Sequence, residues 1–168
     1  MDLLNTKKAL KVWTDIVIDR AKRNLIRQDK NASGKLLESL KSGEPIYKDG
    51  VLSTDIQMEN YGVFVDKGVS GINKKYNTPY SYKKKMPPPS KLDKWTIRRG
   101  IAPRDEKGKF LPRKSVLFLI ARGIYRNGMK PTLFLTTPFN RMKKELPVSL
   151  ATAFTEDAKA VLTIEINK

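Results

Sequence analysis

The chain contains no cysteine and no histidine. Without cysteine there is no disulfide framework and no thiolate metal site. Without histidine, zinc-finger chemistry, a Ser-His-Asp arrangement and the commonest general base are all excluded. Acidic residues are scarce: 17 Asp and Glu stand against 34 Lys and Arg, a formal net charge of +17 on 168 residues. Such a surplus repels itself unless something negative lies close. Nucleic acid, an anionic membrane and an acidic protein surface are the usual partners, while part of the charge serves solubility alone. Long apolar runs are missing too, the most apolar, Val116 to Ala121, being far too short to cross a bilayer. No signal peptide opens the chain: Met1 to Asn5 leads into Lys7, Lys8 and an amphipathic pattern. A soluble, intracellularly made protein with no membrane partner is expected.

Catalytic signatures are absent as well. There is no Walker loop, no GxGxxG after a strand and no HExxH, so no cofactor is expected. Asp105-Glu106-Lys107 and Asp157-Ala158-Lys159 are fragments of the carboxylate–lysine cluster a metal-dependent nuclease needs. The first sits in a basic loop and the second is what any charged helix supplies. No catalytic or metal-ligating residue is assigned, and no enzyme activity is expected.

What is present organises the chain as one domain, residues 1–168, long enough to bury a core. Leu10, Trp13, Val17, Ala21 and Leu25 recur at three-to-four spacing and predict a helix over 5–28, with Asp19 and Arg23 placed to pair. DKNASG (29–34) breaks it, and Leu36, Leu37 and Leu40 mark a short second helix ended by Gly43 and Pro45. Asp49-Gly50 between strand-like runs predicts a hairpin with a type I′ turn; Leu52, Thr54, Ile56 and Met58 share its inner face. YGVFVDKG (61–68) reads equally as strand or short helix. In MPPPSKLDKWTIRRG (86–100) a stiff proline arm delivers a short helix capped by Ser90 and stopped at Gly100, with Trp95 as a core anchor. Ser115 opens an apolar helix, VLFLIARGIYRNG, predicted to be buried and stopped at Asn127-Gly128. TLFLTTPF suggests a short extended segment, and residues 139–160 a helix that Pro147 kinks or splits. The tail LTIEI alternates and predicts a C-terminal strand. The expected fold is α+β: a small antiparallel sheet, from the 46–58 hairpin and the C-terminal strand, packed against a long N-terminal helix and a central helix. Leu10, Trp13, Trp95, Leu117, Ile120 and Phe134 are the expected core.

Two long basic loops interrupt this pattern, at about 69–89 and 103–114, the second with a small hairpin around Lys107-Gly108. Loops of such length are normally functional or mobile. Tyr76, Tyr80 and Tyr82 among lysines would suit single-stranded nucleic acid, where bases stack and lysines follow phosphates. No sequence-reading motif accompanies them, so only backbone contact is expected. The candidate DNA or inter-subunit contacts are Lys83, Lys84, Lys85, Arg98, Arg99, Arg104, Lys107, Lys109, Arg113 and Lys114.

The order of motifs resembles the neck and tail-completion proteins of tailed bacteriophages, the head–tail joining, tail-terminator and minor tail protein Z-like group. The resemblance rests on Ser33-Gly34-Lys35-Leu36-Leu37-Glu38-Ser39 leading into a short helix, Tyr61 to Gly68 with Val65-Asp66, Pro87-Pro88 before Trp95, and Gly128-Met129-Lys130-Pro131-Thr132-Leu133-Phe134. It covers roughly residues 5–160. Asp66 stands where the family usually has Glu, and both basic loops exceed those of compact members. The resemblance implies a structural virion protein, assembled in the host cytoplasm, that forms a ring at the head–tail junction and joins connector to tail or completes the tail around the DNA channel. Its implied partners are copies of itself, portal or connector and tail proteins, and packaged DNA through backbone contact. Deleting 70–88 is then expected to block assembly and leave the fold intact. The alternatives are a free-standing nonspecific nucleic-acid-binding protein and, behind it, a small metal-dependent nuclease.

Overall fold

A computed structural model describes residues 3–30 and 33–166, with side chains through Leu162. Asn31 and Ala32, in the expected helix break, and Met1 and Asp2, at the chain start, lie outside the described residues. The fold is α+β, with seven α-helices and two two-stranded antiparallel sheets among the described residues. The chain divides into two units, one of residues 3–27, 36–59 and 134–166, the other of 28–30, 33–35 and 60–133.

The first unit is organised by α1 (Leu4–Arg27). Its apolar spacing does what the sequence predicts: Leu10, Trp13, Val17, Ala21 and Leu25 are all buried, joined by Ile18 and the hydroxyls of Thr6 and Thr14. Arg20, Arg23 and Arg27 stay exposed, and Arg23 turns to the Asp19 carbonyl instead of its carboxylate. After α2 (Lys35–Ser39) come β1 (Lys41–Ser42), β2 (Ile46–Lys48), β3 (Val51–Ser53) and β4 (Ile56–Gln57). Strand β2 pairs with β3 through Lys48↔Val51, so Asp49-Gly50 forms a two-residue turn. Both turn residues have positive φ, 51° and 79°, as a type I′ turn demands. The ladder continues outward as β1 with β4. Leu52, Thr54, Ile56 and Met58 are half-buried and their neighbours exposed, the expected period of two. Leu52 and Ile56 rest on the Leu10–Trp13–Val17–Met142 cluster.

Helices α6 (Thr136–Met142) and α7 (Leu146–Ile166) complete this unit. The expected split at Pro147 is present: residues 143–145 form a turn and Pro147 falls in the first turn of α7, where its missing N–H has no partner to lose. Two expectations fail. LTIEI is not a strand but the last part of α7; Ile164 and Ile166 have no described side chains. Five alternating residues cannot outweigh a helix already propagating from upstream, because each added residue then gains a bond without a new nucleus. TLFLTTPF is not extended either, since α6 begins within it at Thr136. Two sets of polar bonds fasten α6 and α7 to α1. The Trp13 indole donates to the Met142 carbonyl at 2.9 Å, with Phe139 edge-on at 5.5 Å. The Asp157 carboxylate of α7 accepts from the Asn5 and Thr6 amides at 2.9 Å and from the Thr6 hydroxyl at 2.6 Å. It thereby satisfies N–H groups that the first turn of α1 leaves without intrahelical partners.

The second unit contains α3 (Gly62–Lys67), a 3-10 turn (Pro89–Leu92) running into α4 (Asp93–Arg98), and α5 (Arg113–Asn127). YGVFVDKG is therefore helical. Gly100, at φ 62°, follows the end of α4 as expected, but Ser90 lies inside the 3-10 turn and forms no cap. Trp95 is not a core anchor: Thr96 takes the buried position and Trp95 is 38% exposed. Nor is α5 buried all round, and it starts at Arg113 without a side-chain cap at Ser115. Val116, Leu117 and Ala121 are buried, Ile120 is half-buried, and Phe118 and Leu119 are 48% and 54% exposed. A continuous apolar run hides which face is inward, because periodicity vanishes when every position is apolar. Leu117 in this unit, and Leu10, Trp13 and Phe134 in the first, are buried as expected.

Candidate interaction surface

All ten sequence-predicted contact residues fall in the second unit. That unit holds 20 Lys and Arg against 5 Asp and Glu, a surplus of 15, whereas the rest of the chain holds 14 against 12. The charge of the molecule is thus concentrated on one unit.

Three of the ten are engaged internally. Arg99 holds both the Asp29 carboxylate and its carbonyl. Arg113 ties α4 to α5, binding the Asp93 carboxylate at 2.5 Å and donating to the Asp93 carbonyl and the Thr96 hydroxyl. Arg104 lies over the Phe110 ring at 4.0 Å and donates to the Gly108 carbonyl. This is the small hairpin expected around Lys107-Gly108, bridged at Arg104↔Phe110. Lys83, Lys84, Lys85, Arg98, Lys107, Lys109 and Lys114 are exposed and have no ion pair among the described residues.

Sequence reasoning missed a further basic row. Lys114, Phe118, Arg122 and Arg126 succeed one another at intervals of four along α5, and all are exposed. Side chains at i and i+4 lie on one face, so the row presents three cations around one aromatic ring. The period of four was visible in the sequence, but masked by treating this helix as buried.

The 69–89 segment is neither free nor featureless. Val69 and Ser70 are buried, and Val69 bridges to Met129 through reciprocal amide–carbonyl bonds. Ser70 is a hub: its amide donates to the Tyr80 carbonyl, its carbonyl accepts from Tyr82, and its hydroxyl donates to the Tyr76 carbonyl and accepts from the Tyr76 amide. Ile72 and Asn73 donate to the carbonyls of Tyr125 and Arg126 at the end of α5. Tyr80 sits edge-on to Phe64 at 4.7 Å, and Tyr82 packs near Tyr125, where burial pushes its phenol above the usual value. The tyrosines are therefore structural contacts, not a stacking row, and deleting 70–88 would remove part of the fold.

The two carboxylates that hinted at a nuclease are both committed to backbone amides. Asp105 accepts from Lys107 and Lys109 within its own hairpin, and Asp157 accepts from α1. Burial works against the Asp157 charge, but its hydrogen bonds from Thr6 and Asn5 prevail and hold its carboxyl below the ordinary range. Among the described residues no three acidic, histidine or cysteine side chains gather as a metal site. Among them, too, no helix is long and apolar enough to cross a membrane.

One apolar recess opens on the basic unit. It encloses about 170 Å³ between the end of α4, the 101–103 segment, the Phe110-Leu111 strand and the start of α5, with Arg113 and Thr96 as its polar groups. The surface of this unit offers cations and apolar anchors, which suits binding phosphates or carboxylates. No protein-family model, characterised protein or solved structure matches the chain.

Proposed function

We propose that this protein is a structural component of a tailed-phage virion, forming a ring at the head–tail junction around the DNA channel. The observation that carries the reading is the meeting of two of its resemblance motifs. Gly68 ends the Tyr61–Gly68 motif, and Gly128 to Phe134 forms another some sixty residues later in the sequence. Backbone crosses backbone there: a Cβ on Gly68 would come within 2.6 Å of the Met129 oxygen and the Pro131 nitrogen, and one on Gly128 would strike the Val69 oxygen. The Val65 and Asp66 carbonyls accept from the Thr132 and Leu133 amides. The motif residues thus share one structural role in the fold, which is the support the reading takes from the structure.

Surface composition supports assembly. Among the described residues, 21 large hydrophobic side chains are exposed against 15 hydrophobics buried. Single exposed apolar residues are ordinary, but paired ones on α4, α5 and the β2–β3 hairpin mark surface that a neighbour would cover. The role is not catalytic, and the proposed location is the virion neck. Disrupting the gene in the phage that encodes the chain tests this: filled heads and separate tails should accumulate, with joining restored by supplying the protein. Normal joined particles from the disrupted phage would end the proposal.

The concentration of charge on one unit favours a second reading, a nonspecific nucleic-acid-binding protein. That reading requires the isolated monomer to hold duplex DNA, with log K falling by about 0.9 per phosphate contact for each tenfold rise in salt.

A further inference from the structure

The β2–β3 hairpin rests on the first unit through Leu52, and its outer side carries Ile46 and Val51 beside Lys48 and Ser53. Tyr47 and Leu52 face each other across the ladder, and Leu52 is fixed on the α1 cluster. The alternation then turns Ile46 and Val51 outward, where they are 62% and 63% exposed. Two-stranded hairpins are only marginally stable in water, and an apolar outer face is a liability unless something covers it. This hairpin is also mildly acidic in a basic molecule, although Glu44 is already paired with Lys11 of the same chain at 2.7 Å. Residues 44–59 carry Glu44, Asp49, Asp55 and Glu59 against the single Lys48.

The recess on the second unit has the opposite character. Its lining is mostly apolar, Phe110 and Leu111 included, with Thr96 and Arg113 as its polar groups, and Arg98, Lys109 and Lys114 are exposed on the segments that frame it. From this complementarity we infer that the β2–β3 hairpin of one copy docks, Ile46 and Val51 foremost, into the Phe110–Leu117 recess of a second copy. The contact joins two different surfaces, so it is heterologous and propagates head to tail. Acidic residues around an apolar tip meet basic residues around an apolar recess, which fixes orientation and disfavours pairing of two hairpins. This inference rests on the assembly part of the proposed function, and it names the surfaces that would build the ring.

The absence of cysteine makes the test clean. One preparation of the full chain carries Val51→Cys and another Phe110→Cys; the two are mixed with a short bismaleimide and the linked species are identified by mass. Both positions are exposed, and circular dichroism and Tm verify that the variants fold. Random encounter makes half of all linked dimers mixed. The expected result is a mixed species well above half that returns to the statistical level at about 0.5 M salt. Adding Asp49→Lys to the Val51→Cys chain should remove most of the enrichment. Mixed linkage at or below the statistical half, or Val51 cysteines linking chiefly to one another, overturns the inference. So does protection of the Phe110→Cys thiol by a short DNA duplex but not by the wild-type chain, which would give the recess to nucleic acid. A virion lacking the protein would sink the neck proposal and leave an observed hairpin–recess link standing. A ring whose subunits meet elsewhere would do the reverse.

Discussion

Asp157, part of a weak nuclease-like fragment in the sequence, has a structural task in the fold. Its three hydrogen bonds complete the first turn of α1 from across the first unit. Asp157→Ala should lower Tm by roughly 2–4 °C, the scale of one lost helix cap in a chain of this size. The pH dependence has a definite sign. Because the folded carboxyl titrates below its ordinary value, its stabilisation is fully present above the unfolded-state pKa. It is lost as pH falls through the folded value. The Tm gap between wild type and variant should therefore be constant at neutral pH and close in the acid range below the ordinary carboxylate pKa. A gap that persists there would show that the cap is not electrostatic. Glycine gives a second comparison at this scale. Gly50 and Gly128 both have positive φ, but space around Gly50 is open while Gly128 lies against Val69 and Gly71. Gly50→Ala should cost about 1 kcal/mol from backbone strain alone. Gly128→Ala adds overpacking and should cost about 2–4 kcal/mol by urea denaturation. Equal effects would refute the tight crossing.

Elements were legible where local chemistry acted alone. The α1 face, the Asp49-Gly50 turn and the stops at Gly100 and Gly128 all follow from spacing or from backbone conformation. What escaped depended on competition. Alternation in LTIEI lost to propagation of α7, and the uniform apolarity of α5 concealed both its outward Phe118 and its basic row. Trp95 looked like an anchor because Leu92 stood beside it, yet the buried residue of α4 is Thr96, held through its hydroxyl by Asp93 and Arg113. The two tryptophans make this measurable. Trp95→Phe should leave emission that is blue-shifted and shielded from iodide, reporting buried Trp13, with little change in stability. Trp13→Phe should leave red, quenchable emission and cost about 2–4 kcal/mol through a cavity and the lost indole bond to the Met142 carbonyl. The 69–89 segment belongs here too. Ser70→Ala removes the hydroxyl that binds Tyr76 on both sides, and proteolysis among Lys74, Lys75 and Lys83–Lys85 should accelerate several-fold with the rest of the chain intact. Unchanged cleavage would mean that the hub does not hold the segment.

At the scale of the whole molecule, the uneven division of charge and apolar surface is the feature to explain. Neither was apparent from the total of +17, since composition does not say which residues share a unit. Of the ten candidate contacts, three proved to be internal clamps, and the α5 row was overlooked. The proposed ring would reconcile the rest: exposed apolar residues would find neighbours, and a repeated basic unit would create a strong field toward DNA or an acidic portal surface. The most direct test is cryo-electron microscopy of the particle encoded alongside this chain. The account predicts a closed ring of copies between head and tail, with basic units directed to the channel or to an adjoining ring. A complete neck reconstruction whose every density is filled by other proteins would contradict it.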